Sequence, residues 1–228
     1  MRQTLIDFFS NMIAVVLGIV ITFYVQGLID RASDRKEVRS ALELVRSELN
    51  ANMDDIALLE NYLNDERKAA QFFLDHRNDL ALCPEDSVSY HSGILFADVS
   101  ISVCQDALQL LKMSSLFPKV GDNALSMKII RAYDCCESVA STLNRHIQAR
   151  DTRFENSVTQ ESAGRYARSG FIDIRDYLQT DYGLYAIRWL TNHAEPKYYT
   201  DVSDVQVAVE AIDSYLGGRH RRHKNNNK

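Results

Sequence analysis

Residues 35–63 read RKEVRSALELVRSELNANMDDIALLENYL, and their apolar spacing decides the fold class. Val38, Leu42, Val45, Leu49, Asn52, Ile56, Leu59 and Leu63 fall four and three apart in turn, the spacing of a heptad seam on one face of an α-helix. Ala70 and Phe73 continue the seam after a polar step at Glu66. Neither Gly nor Pro interrupts 35–77, so one long helix is expected there. Leu44, Met53, Leu58, Tyr62 and Phe72 lie off the seam, which makes the apolar face wider than a two-stranded coil needs. That width points to packing inside a bundle, with Asn52 a candidate register-setting polar residue.

Towards the N-terminus, residues 8–28 read FFSNMIAVVLGIVITFYVQGL, 21 residues without a charged side chain, bracketed by Asp7 and Asp30. As a helix the stretch would be about 31 Å long, close to the hydrocarbon thickness of a bilayer. A core helix of a small domain keeps a wet stripe, and this stretch has none. A cleaved signal peptide competes with this reading, since Val25 and Gly27 fit a cleavage rule before Leu28. Asp7, a single Arg2 and the length of the apolar run favour an uncleaved anchor instead. Arg31, Arg35, Lys36 and Arg39 outnumber Arg2, which places the body on the cytoplasmic side of an inner membrane. Ala14, Gly18, Thr22 and Gln26 recur every four residues, as small and amide residues do where two spans associate. The competing reading is that such residues are common in spans and that Asn11 and Gln26 sit at headgroup depth. The span and the helix after it either form one rod or break near Asp30 to Ser33.

Towards the C-terminus, residues 78–93 read as a loop and 94–113 as a buried helix. Its opening, ILFADVSISV, alternates like a strand, whereas DALQLLK is helical. Phe117, Pro118 and Gly121 break the chain, and Asp122 or Asn123 would cap a helix running to about Asn156. The last third is aromatic, with Tyr166, Phe171, Tyr177, Tyr182, Tyr185, Trp189, Tyr198 and Tyr199. It reads as two short helices divided near Gly183 and a final helix stopped by Gly217 and Gly218.

Composition agrees with a folded chain: 228 residues, 46% hydrophobic, 9 Gly and 3 Pro exclude disordered and collagen-like classes. Five of the 26 bases lie in the tail from Gly217, leaving 21 bases against 31 acids in the body. Such a body is a poor nucleic-acid surface, and no nucleic-acid partner is expected. The tail itself reads as a disordered basic arm. Cys83, Cys104, Cys135 and Cys136 form no CxxC pair and read as reduced thiols, which favours a reducing compartment.

Standard catalytic and phosphate-binding motifs are absent. The six histidines are scattered, and none has a second ligand type four residues away on one helix face, so no metal, cofactor or catalytic residue is nominated. His146 falls on an apolar seam and reads as a core histidine.

Two stretches carry a family resemblance. The run from Asn11 to Ile56 is similar to the opening of a family of small single-span bacterial proteins of Bacteroidota, of unknown function, with an apolar V-V-L-G-I segment and a long charged helix. The segment DALQLLKMSSLFPKVGDNALSMKIIRAYDCCESV resembles their second shared block, through Leu111, Lys112, Leu116, Phe117, Asp122, Leu125, Ile130 and Tyr133. Gly27 and Leu28 stand where that family has an Asn-rich stretch with a Trp. The resemblance implies a membrane-anchored helical protein and no activity.

The sequence therefore predicts an all-α chain: a transmembrane anchor over 1–30, a long amphipathic helix over 31–78, an antiparallel bundle over 79–216 and a tail over 217–228. The expected function is interaction or scaffolding beside a lipid bilayer, with a homo-oligomer or protein partner joined through the span and the 38–63 seam. The alternative is a sensor or enzyme with a ligand site among the aromatics of 166–199.

Overall fold

The computed structural model describes residues 2–157, 174–192 and 196–225; the side chains of 2–15, 18, 156–157, 176, 198 and 218–225 lie outside the description. The described residues are helical with no strand. They form α1 (Arg2–Asp75), α2 (Glu85–Leu95), α3 (Asp106–Met113), α4 (Asn123–Ser157), α5 (Ile174–Leu178), α6 (Asp181–Asn192) and α7 (Ser203–Asn225). The expected anchor and the amphipathic helix are one continuous α1, with no break near Asp30.

All eight seam residues of α1 are buried within the chain. The seam is thus filled by the chain's own residues, and a second copy could reach it only by opening the core. Thr22 and Gln26 are exposed, and the Gln26 amide donates to Asp30 within the same helix at 3.0 Å. Ala14 and Gly18 lie outside the described side chains. Among the described residues no helix is long and apolar enough to cross a membrane, so the structure does not support the transmembrane part of the expectation.

The chain divides into two units. One comprises Met1–Glu48, Gln105–Met127 and Ala211–Lys228, the other Leu49–Cys104 and Lys128–Glu210. In the first, Val38, Leu42 and Val45 of α1 are buried, as are Leu108 and Leu111 of α3 and Ile212 of α7. Polar links tie these elements together at the margin. Glu48 accepts the Ala107 N–H at 3.0 Å, capping α3 from a neighbouring helix. Arg46 pairs with Asp213 at 2.7 Å, Lys119 with Asp34 at 2.8 Å, and the Tyr215 hydroxyl donates to the Val120 carbonyl. Gly121, at φ +68°, takes the left-handed turn that ends the Pro118–Val120 3-10 turn.

The second unit holds an apolar cluster in which Ala69, Ala70 and Phe73 of α1 pack with Leu95, Phe154, Tyr177 and Ile187. Phe96, Phe154 and Tyr177 form a triangle with ring centroids 5.3 to 5.7 Å apart. Gly183 is required here, because a Cβ at that position would lie 2.1 Å from the Tyr177 carbonyl oxygen. Thr180 caps α6 by accepting the Gly183 N–H at 2.9 Å. The division between the short helices therefore falls at Thr180, and Gly183 serves close approach instead of a break.

Several expected boundaries move. Residues 85–93 belong to helix α2 where a loop was expected, since Pro84 precedes a first turn carrying Glu85 and Asp86, both favourable at a helix N-terminus. Residues 97–105 hold neither helix nor strand where a helix was expected, and only Asp106–Met113 is helical. Asp122 caps α4, accepting the Leu125 N–H at 3.0 Å as predicted. The backbone of α7 continues through Gly217 and Gly218 to Asn225, so the tail as far as Asn225 is helical instead of disordered.

Candidate functional site

The segment 97–105, without regular secondary structure, is held by side chains. Asn144 of α4 donates to the Ile101 carbonyl at 2.8 Å and accepts the Ile101 N–H at 3.1 Å. Asn52 of α1 does the same for Cys104, at 2.9 and 3.0 Å. An Asn side chain carries one acceptor and one amide donor in the geometry of a peptide group, so each imitates a neighbouring strand. Asn52 fixes a segment of its own chain. Its partner lies 52 residues away, which no periodicity could indicate.

The segment alternates. Asp98, Ser100, Ser102 and Cys104 are exposed, while Val99, Ile101 and Val103 are half-buried. An extended chain turns the N–H and C=O of successive residues to opposite edges. With Ile101 bonded to Asn144, the backbone groups of Ser100 and Ser102 face the other edge, and neither they nor those of Asp98 bond to any described residue. Beside this segment runs an open groove of about 780 Å³. Its far wall is α1, presenting Asp55, Leu58, Tyr62 and Asp65. Asp65 already pairs with Lys68 at 2.7 Å, whereas Asp55 and Asp98 form no ion pair among the described residues.

Beneath the groove lies a buried charged pair. The Glu66 carboxylate, 0% exposed, meets Arg150 at 2.7 Å. The same guanidinium donates to the Ala97 carbonyl at 3.2 Å, at the start of the segment 97–105, and meets Asp151 at 2.7 Å. Burial pushes the Glu66 carboxyl up to about 7 against the opposing pull of Arg150. Burial also raises the Tyr62 hydroxyl to about 12, helped by the Glu66 charge, and that hydroxyl donates to the Ile94 carbonyl. Arg150 stays charged because Glu66 and Asp151 outweigh the cost of its burial. His146 stands 4.0 Å from Glu66 and stacks on Trp189 at 5.0 Å, where Arg153 covers the other ring contact at 4.2 Å. His146 is thus largely buried, as its seam position suggested.

Among the described residues the aromatics of 166–199 lie in different surroundings. Tyr177 is core, Trp189 stacks on His146, and Tyr182 and Tyr185 are exposed. Tyr166 and Phe171 lie outside the described residues, as does the Tyr198 side chain.

One cluster was not legible in the sequence. His76, Asp79 and Cys83 bring a ring nitrogen, a carboxylate oxygen and a sulfur within 4.8 Å of one another in the turn after α1. Their spacing of three and four is helical, but they sit on a turn and a 3-10 segment whose course the sequence did not reveal. No disulfide joins the four cysteines, of which Cys104 is exposed and only Cys136 is buried.

Comparison with protein-family models, curated proteins and solved structures found no match to this chain.

Proposed function

We propose that the chain is a membrane-anchored docking protein that takes an extended, basic peptide segment of a partner into the groove between α1 and residues 98–102. The observation that carries this reading is the unbonded backbone edge at Ser100 and Ser102 facing a groove with acids on both walls. An incoming strand would pair with that edge, while its Lys or Arg side chains meet Asp55 and Asp98 and an apolar side chain covers Leu58.

What supports the anchor is exposure together with sequence. Val16, Leu17, Ile19, Val20, Ile21, Phe23, Tyr24 and Val25 are all about half exposed or more. Successive positions of a helix point all round it, so a protein partner would cover one side only, whereas lipid covers every side. The rest of the uncharged stretch, 8–15, has its side chains outside the description.

Fluorescence anisotropy with a labelled peptide of alternating Lys and Val tests the docking reading on the full chain in mild detergent. Saturable binding is expected, weakened by salt and by Asp55→Asn with Asp98→Asn, and lost when the peptide backbone is N-methylated. Binding indifferent to N-methylation, or none at all, would overturn it. The anchor is tested by alkaline carbonate extraction of membranes: the full chain should stay in the pellet, and a chain carrying Val20→Arg and Ile21→Arg should not.

A further inference from the structure

We infer that His76, Asp79 and Cys83 form a binding site for a zinc-class divalent cation. Among the described residues this is the one place where three ligand atoms of the His, Cys or carboxylate kinds gather so closely. His76 Nδ1 and Asp79 Oδ1 lie 3.3 Å apart. Two ligands each about 2.0–2.1 Å from a tetrahedral zinc ion are separated by about 3.3 Å, so this edge of the site is already at its bound length. The Cys83 sulfur lies within 4.8 Å of both ligand atoms and 4.0 Å from the Asp79 carbonyl oxygen.

The turn that carries the ligands is fixed without a metal. The His76 N–H donates to the Phe72 carbonyl, the Asp79 N–H to His76, the Leu82 N–H to Asp79 and the Cys83 N–H to Leu80, at 2.7 to 3.2 Å. Pro84, at φ −54°, stiffens the chain immediately after the thiol. The His76 ring rests on Phe72, which stacks in turn on His91, and this fixes the imidazole plane. Binding therefore orders little that is not already ordered.

The donor set selects the ion. Thiolate and imidazole favour zinc over magnesium or calcium, which take oxygen ligands. One thiolate and one carboxylate neutralise the charge of a divalent ion. Three protein ligands leave the fourth position to water, on the solvent side where His76 and Asp79 are about half exposed. The Cys83 thiol gives its proton to solvent as the S–metal bond forms, so affinity rises with pH.

The test is cobalt substitution in the full chain, in detergent and under reducing conditions. Titration with CoCl2 should produce tetrahedral Co2+ bands and a sulfur-to-cobalt charge-transfer band that saturate at one equivalent, and ZnCl2 should remove them. Cys83→Ser should abolish the charge-transfer band, whereas Cys104→Ser should keep it. His76→Gln and Asp79→Asn should each weaken binding by about tenfold or more. Circular dichroism of each variant checks that α1 and α2 persist; the ligands sit on a partly exposed turn, where these changes leave the core intact. A charge-transfer band that survives Cys83→Ser, or no band in the wild-type chain, would overturn the assignment.

Discussion

Helix α1 contains two apolar stretches that differ in what covers them. From Val16 to Ile29 the large apolar side chains are exposed on every side of the helix. From Val38 to Phe73 the seam residues lie on one face and are buried, with Leu44 and Leu58 exposed off the seam, and two polar residues are buried too, Asn52 and Glu66. The comparison teaches that hydrophobic content alone does not say what a helix packs against. A stretch whose surroundings are fixed protein carries polar groups matched to named partners. In the exposed stretch the Gln26 amide bonds to Asp30 of the same helix.

The sharpest way to break the comparison is truncation in each half. Leu49→Ala should cost about 2–5 kcal/mol in chemical denaturation of the body, whereas Leu28→Ala should stay within about 0.5 kcal/mol. Equal effects would mean that a protein surface covers the N-terminal half as well.

The buried Glu66 gives a pH test. Its carboxyl is held near 7, above the ordinary carboxylate range, so the folded chain binds this proton more tightly than the unfolded one. That contribution is complete in acid and is lost as pH rises through about 7. Relative to Glu66→Gln, the wild-type chain should lose up to about 3 kcal/mol between pH 4.5 and 7, read from melting temperatures across that window. A difference that grows with pH would show that Arg150 outweighs burial.

Asn52→Ala should cost about 1–3 kcal/mol, since it strips both backbone partners from Cys104. Asn52→Leu, which fits the seam better by hydrophobicity, should be no less harmful. Stabilisation by Leu, measured by the same denaturation, would show that the segment 97–105 is held from elsewhere.

Much of the fold was legible because its signal is local and repeated. The seam from Val38 to Leu63 needs only the helical period, and the Asp122 cap needs only its neighbours. Short elements were harder. Pro84, Glu85 and Asp86 look the same opening a helix as ending a loop, so α2 was missed. The alternation in ILFADVSISV was visible, yet the helical DALQLLK beside it drew the whole run into one helix. The candidate site was the least legible. Asn52 meets Cys104, Arg150 meets Ala97, and His76 meets Cys83 only because the chain turns between them. The seam residues read from the sequence are buried in the chain, and the groove beside residues 98–102 had no signal in the sequence.

The two asparagine clamps have a kinetic consequence. In a segment without regular secondary structure, amides normally exchange with solvent deuterium almost as fast as in an unfolded chain. Here the amides of Ile101 and Cys104 are tied to helices α4 and α1, while those of Ser100 and Ser102 are not. The segment should therefore carry a residue-by-residue pattern of slow and fast exchange. The amides of Ser100 and Ser102 would slow when a strand is bound along the open edge, so the labelling pattern reports occupancy of the groove without any label on the partner.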